Sequence, residues 1–236
     1  MTSGTRIGIL GGTFDPVHSG HIDTAVAAHR ALALDTVLLL PSGTPPHRPA
    51  QPSASRFHRF AMTALAVNGV PDLVVSDLEI GLTEPCYTFD TLARLQKTGL
   101  SAAQIFFITG ADAFAEIGTW SRYPQVLEMA HFVVVSRPGF PVASLRAGLP
   151  ALAGRMREVS ALGSTRVDAS TQHGGALEIL LVDAATQNVS STDVRRRLES
   201  GAPITGLVPE SVETYIGQHR LYAHQEAGAR LGNSLA

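Results

Sequence analysis

This sequence predicts an open α/β fold: a Rossmann-like, doubly wound parallel sheet in one domain with a small C-terminal helical part. Three observations predict it. Short apolar runs rich in Val, Ile, Leu and Phe recur along the chain, as strands covered on both faces require. Amphipathic stretches at helical spacing separate them, giving the βαβα order of a parallel sheet. The first run leads into glycines, in "GILGGTFDPVHSGH" at residues 8–21, where open sheets place ligand-binding turns.

The elements follow in order. Arg6–Leu10 is the first expected strand, and Ile22, Ala25, Val26, Leu32 and Ala33 form one face of the helix after it. Thr36–Leu40 is the second strand. Ser42 to Ser55 carries four prolines and reads as a long ordered loop, often a functional feature. Phe57, Phe60, Ala61, Ala64 and Leu65 give the next helix its expected apolar face, and Leu73–Val75 the next strand. A helix over Thr88–Gln96 precedes strands at Gln104–Thr109 and Phe132–Val135. Pro138 to Gly175 is rich in Gly, Ala, Ser and Arg with weak periodicity. It reads as a variable excursion with one helix near Ala151–Arg157. A last strand, Glu178–Val182, and two helices, Ser191–Glu199 and Pro209–His219, complete the pattern. The expected domain is therefore 1–222, with a core over about 6–183 and a helical part over about 189–222. The small, polar stretch 223–236 reads as a flexible tail.

The bulk numbers bound the function. With 236 residues, 44% of them hydrophobic, the chain can bury one sizeable core. No stretch approaches the roughly 20 apolar residues of a membrane span. Met1 to Thr5 is short and polar and lacks the apolar region of a signal peptide, so a cytoplasmic protein with no membrane partner is expected. Cys86 is the single cysteine, which excludes a disulfide framework and a thiolate metal cluster. A net charge of −2 gives no overall basic field to draw in nucleic acid. Lys97 is the single lysine among 18 basic residues, so a phosphate site here would use Arg forks, His and backbone N–H groups.

The turn after the first strand fits that description. Gly11 and Gly12 let the backbone approach a ligand closely. The spacing is neither G-x-x-x-x-G-K-[ST] nor G-x-G-x-x-G. Gly20 and His21 open the next helix, whose first N–H groups form an anion site. His18 and His21 can aim at the same anion, a neutral ring donating one hydrogen bond and a protonated ring adding charge. Two surface histidines, or a metal site of Asp15, His18 and His21, are the alternatives; for a metal, no further His, Cys or Glu cluster completes the set.

Near the C-terminus, "VSSTDVRRRL" at residues 189–198 reads as a second helix start. Ser190 or Ser191 can cap it and Asp193 suits its first turn. The hydroxyls of Ser191 and Thr192 can cradle phosphate oxygens, with Arg195 one turn further on. Alone, such a start is usually only a cap. Arg196 and Arg197 read as a solvated face.

GGTFDPVHSGH resembles the nucleotidyltransferases of the HxGH superfamily, and over its longer match the bacterial nicotinate-nucleotide adenylyltransferases. SSTDVR resembles that family's second signature, ISSTxxR. The resemblance covers most of residues 6–138 and 186–222; the 138–175 excursion departs from it.

It implies a step of NAD biosynthesis. AMP passes from ATP to nicotinate mononucleotide, giving the dinucleotide and pyrophosphate, with Mg²⁺ accompanying ATP and no metal bound directly by protein. It implies His18, His21 and Arg195 as the catalytic groups. Gly11, Gly12, Thr13, Phe14, Gly110, Asp112, Arg137, Ser191 and Thr192 would join them around ATP and its phosphates. For the nicotinate nucleotide it implies Asp15, then His47 and Arg48 in "PSGTPPHR", Tyr87 and Thr88 in "CYTFDTL", and Trp120, Ser121 and Arg122 in "ITGADAFAEIGTWSRYPQVL". Trp120 would stack on the pyridine ring, although an isolated Trp is most often core and the "PSGTPPHR" loop could be plain surface.

A relative acting on nicotinamide mononucleotide, phosphopantetheine or glycerol phosphate, and a non-catalytic nucleotide sensor, are the competing readings. His18 speaks against the phosphopantetheine enzymes, whose motif typically carries Thr there. Self-association is compatible with all of them.

Overall fold

The computed structural model describes residues 4–46, 52–160 and 177–223. Seven parallel strands form one sheet: β1 (Ile7–Gly12), β2 (Thr36–Pro41), β3 (Leu73–Val75), β4 (Ile105–Gly110), β5 (His131–Val135), β6 (Met156–Val159) and β7 (Ile179–Val182). Their spatial order is β3-β2-β1-β4-β5-β7-β6. The direction of winding reverses between β1 and β4, which pair from Ile7 with Ile105 to Leu10 with Ile108. That reversal opens a crevice beyond the carboxyl ends of these two strands.

Strand alternation divides the core into two layers. Leu10, Val37, Leu39, Phe106, Ile108, Val133, Val135, Leu180 and Val182 point to one face, with α1 (Ser19–Leu32), α2 (Arg56–Val67), α6 (Ser191–Glu199) and α7 (Glu210–His219) packed over it. Ile9, Leu40, Ile105, Phe107, Phe132, Val134, Ile179 and Leu181 point to the other. There they meet α3 (Thr88–Lys97), α4 (Ala111–Ala115) and α5 (Leu145–Gly148). The expected Rossmann-like sheet, doubly wound, is observed. Among the described residues no helix is long and apolar enough to cross a membrane.

Three expectations are corrected. The helix expected near Ala151–Arg157 is a 3₁₀ turn, Pro150–Arg155, followed by the edge strand β6. The excursion therefore extends the sheet, and the Arg157 guanidinium clasps the Glu178 carboxylate through two contacts of 3.0 and 2.8 Å. Second, the face of α2 expected to be buried is rotated. Phe57 is 67% exposed, whereas Arg59, Met62, Thr63, Ala66 and Val67 are buried. Third, β1 continues through Gly11 and Gly12, so the glycine pair is strand end rather than turn. His47, Arg48, residues 161–175 of the excursion and residues 224–236 of the expected tail lie outside the described residues.

Candidate active site

A cavity of about 600 Å³ occupies the crevice at the strand reversal. Leu10 to Thr13 supply one wall and Phe107 to Gly110 the other, the ends of β1 and β4. His21, Asp112 and Arg137 stand at one end; Thr88, Thr91, Glu79, Cys86 and Trp120 line the rest. Of the residues expected at a site, Gly11, Gly12, Thr13, His21, Thr88, Gly110, Asp112, Trp120 and Arg137 line this cavity.

His18 and His21 are a stacked pair, with ring centroids 3.6 Å apart and planes at 23°. His18 is the N-cap of α1, and its backbone N–H donates to His21 Nδ1 at 3.2 Å. That bond settles the tautomer: a neutral His21 ring carries its proton on Nε2. Phe14 packs edge-on against His21 with centroids 4.9 Å apart. Phe14 itself is core, 2% exposed, so it supports the ring rather than lining the cavity.

Both rings are neutral at pH 7. Burial, and then the Arg137 charge, push His18 down to about 3. Burial holds His21 well below the usual histidine range, with His18 and Arg137 adding to the effect. Of the two states the sequence left open, the neutral one applies; the turn offers a hydrogen-bond donor, and Arg137 supplies the positive charge. The Arg137 guanidinium donates to the Val189 carbonyl at 3.2 Å and lies 3.9 Å from the Asp112 carboxylate. Among the described residues His18 Nδ1 and Asp112 Oδ1 are buried polar atoms without a hydrogen-bond partner. Native interiors rarely leave such atoms bare, so both fit contacts to a ligand or its water.

Asp15, expected on the acceptor nucleotide, is fully buried and outside the cavity wall. Its carboxylate accepts the N–H groups of Ser53 and Ala54 at 2.9 and 3.0 Å and the Tyr222 hydroxyl at 2.9 Å. Arg195 donates to the Asp15 carbonyl at 2.6 Å and to Thr192 Oγ1 at 3.2 Å, with its charge 3.8 Å from the carboxylate. Ser191 Oγ donates to the Pro16 carbonyl at 2.8 Å, and Ser190 caps α6 by accepting Asp193 N–H. The start of α6 therefore meets the opening turn, as the two signatures suggest. Ser191 and Arg195 bond that turn, Thr192 bonds Arg195, and none of the three is in the cavity wall. Tyr87 is the N-cap of α3, and the exposed Arg122 stacks over Phe89 at 4.5 Å; neither they nor Ser121 line the cavity.

Two residues escape the sequence reading. Arg59 is 1% exposed, and its guanidinium donates to the carbonyls of Thr13 at 2.6 Å and Gly43 at 3.3 Å, bracing the turn against the loop after β2. Its place on a misjudged helix face hid it. Glu79, 4% exposed in the cavity wall, lies in an aperiodic segment that gives no signal. Trp120 both lines the cavity and packs on Phe107 and Phe132.

The Cytidylyltransferase-like family matches residues 9–197. A chain from Moorella thermoacetica named "Probable nicotinate-nucleotide adenylyltransferase" is 38% identical over 224 residues, 94% of each chain. One of the same name from Pseudomonas syringae pv. tomato is 40% identical over 217 residues, 92% of this chain and 93% of that one. A solved Plasmodium falciparum nicotinic acid mononucleotide adenylyltransferase complexed with NaAD shares the fold at TM-score 0.70 and 18% identity, over 93% of this chain and 98% of that one. With both motifs in place at the strand reversal, the chain belongs to the cytidylyltransferase-like family and, within it, to the nicotinate-nucleotide adenylyltransferases.

Proposed function

We propose that this protein transfers AMP from ATP to nicotinate mononucleotide, releasing pyrophosphate and forming nicotinate adenine dinucleotide, in NAD biosynthesis. The observation that carries the reading is His21: a neutral ring of fixed tautomer in a cavity wall it shares with the glycine end of β1 and with Arg137, whose charge it feels. The relatives' names supply the acceptor.

The acceptor's phosphate oxygen attacks the α-phosphorus of ATP, that P–O bond forms, and the bond to the leaving pyrophosphate breaks. A phosphomonoester with second pKa near 6 is mostly dianionic at pH 7, so the nucleophile needs no general base. The protein's task is to align two anions and to stabilise charge growing on the leaving group. His21 Nε2–H and Arg137 serve the phosphates, with His18 Nδ1 beneath them. Gly11, Gly12 and Thr13 let them approach the β1 end. Gly110 and Asp112 face the ribose or metal-bound water. Thr88 and Trp120 take the pyridine ring. Ser191, Thr192 and Arg195 act through the opening turn, which they hold in place.

Among the described residues no three or more His, Cys, Asp and Glu gather as a protein-held metal requires. The bare Oδ1 of Asp112 fits an outer contact to a metal riding on ATP. Mg²⁺, when bound with ATP, would neutralise charge on the phosphate oxygens.

The test measures pyrophosphate released from ATP and Mg²⁺ with nicotinate mononucleotide, nicotinamide mononucleotide, phosphopantetheine and glycerol phosphate in parallel. The acid mononucleotide should give by far the highest kcat/KM. A higher value with any other acceptor, or silence with all four despite ATP binding, overturns the assignment.

A further inference from the structure

We propose that Glu79 is a specificity-determining residue for the ring substituent of the acceptor: its carboxyl, set in the cavity wall beside Thr91, admits an anionic substituent while uncharged and opposes it once ionised. The inference rests on the acceptor reading above and deepens it.

The structure builds this position with care. The loop from Asp77 to Cys86 folds back against the loop after β2. Cys86 N–H donates to the Thr44 carbonyl at 2.9 Å, and Arg56 donates to the Ile80 and Leu82 carbonyls at 3.2 and 2.9 Å. At Gly43 a Cβ would meet the Leu82 carbonyl oxygen at 2.8 Å and strike that of Glu79. Only glycine lets the two backbones lie so close, and that approach places Glu79 in the wall. Thr91 and Thr88 share one face of α3 and the same cavity. Residues three apart on a helix are neighbours, so the Glu79 carboxyl bonded to Thr91 stands about one turn from Thr88, where the ring is expected.

Burial favours the uncharged carboxyl, and one hydroxyl holds it in place. Thr91 Oγ1 lies 3.1 Å from the Tyr87 carbonyl and is also hydrogen-bonded to Glu79. A hydroxyl has one proton. Thr91 gives it to the Glu79 carboxyl, and that bond fixes the carboxyl in the cavity wall. Burial pushes the Glu79 carboxyl above its usual range, opposed by the bonds to Thr91 and Cys86 and by the Arg94 charge. The charged group facing it is Arg94 on α3, while the Arg56 guanidinium of α2 lies on the Ile80 and Leu82 carbonyls. Burial raises the Cys86 thiol, which keeps it neutral.

The two mononucleotides carry the same phosphate, ribose and pyridinium and differ only in carboxylate against amide. Their kcat/KM ratio therefore cancels everything that acts on ATP, on the metal or on the attacking phosphate. Neither ring substituent changes charge while Glu79 titrates above its usual range. As Glu79 ionises, the acid-to-amide ratio should fall by about tenfold or more, the effect of a like charge roughly one helical turn away at an effective dielectric near 20. In Glu79→Gln the ratio should stay flat across that titration and near the wild-type value at its acid end.

A ratio flat in wild type, or one that falls equally in Glu79→Gln, overturns the proposal while leaving the acceptor assignment standing. The wild-type curve alone suffices if the variant does not fold. Silence with both mononucleotides is a different failure: it removes the acceptor assignment, and the proposal with it.

Discussion

Two stretches of this chain look alike in sequence and do opposite work. The opening turn and the start of α6 each present hydrogen-bonding side chains at a helix N-terminus, the usual preparation for phosphate. In the folded chain His21 spends one ring nitrogen on the backbone and presents its ring to the cavity. Ser191 and Arg195 instead spend their hydrogen bonds on Pro16 and Asp15. A polar side chain at a helix start is a ligand group only if tertiary contacts leave it one; otherwise it is a brace. The brace matters here because its target is the turn that carries the histidines.

The sharpest way to break this comparison is Arg195→Ala. Removing the guanidinium strips a cation and a donor from the fully buried Asp15, whose other partners soften the loss. A cost of about 3 kcal/mol is expected, the low end for breaking a buried pair. Denaturant unfolding measures it, and activity should fall with it. Lost activity at an unchanged unfolding midpoint would return Arg195 to the phosphates.

His21→Ala should do the reverse. Its loss removes one donor aimed at growing charge, so kcat should fall roughly 10²-fold or more, equivalent to about 2.7 kcal/mol of barrier. The thermal midpoint should fall much less than for Arg195→Ala, since the ring gives up one neutral hydrogen bond, from the His18 N–H, worth about 1 kcal/mol. Near wild-type turnover would mean that the stacked pair is scaffold too.

Acid should separate the two stretches by stability. His18 is held neutral in the fold, pushed down to about 3 from the ordinary value of 6.5. Its folded pKa is depressed, so its contribution is fully present above 6.5 and is lost as pH falls from there, because the unfolded chain takes up the proton first. From pH 7 to 5 that loss is about 2 kcal/mol. A His18→Gln variant should lose that much less than wild type over the same range, read by chemical denaturation. Parallel wild-type and variant curves would show that His18 does not titrate between the states.

Much of this was legible beforehand, for identifiable reasons. Strands such as Phe132–Val135 are covered on both faces, so their runs are continuous, and α6 announces itself with Ser190 as its cap. Gly11, Gly12, His21 and Trp120 were expected at a site from single local stretches, and the fold brings all four to one cavity wall. Strand β6 was not: "MREV" alternates charge with hydrophobe at a sheet edge, where only one neighbour pairs it. Asp15 was misread because its partners Ser53, Ala54 and Tyr222 are 38, 39 and 207 residues away. Nothing local shows which way such a carboxylate turns. Arg59 and Glu79 were missed alike, since a buried ionisable side chain carries no sequence mark until its partners are known.

The smallest expected effect gives the finest division, between adjacent serines. Ser190 accepts the Asp193 N–H at 3.1 Å, and Ser191 donates to the Pro16 carbonyl at 2.8 Å. Ser190→Ala removes a helix cap and should cost about 1 kcal/mol. Ser191→Ala removes one neutral hydrogen bond and should cost a similar amount, about 1 kcal/mol. Stability alone cannot tell them apart, but the KM for ATP can. If α6 braces the turn, neither substitution should change that KM by more than about twofold, because neither hydroxyl meets the triphosphate. A several-fold rise confined to Ser191→Ala would mean that its hydroxyl leaves Pro16 for a phosphate oxygen when ATP binds. The brace would then be a resting arrangement, and the distinction between the two helix starts would hold only for the empty cavity.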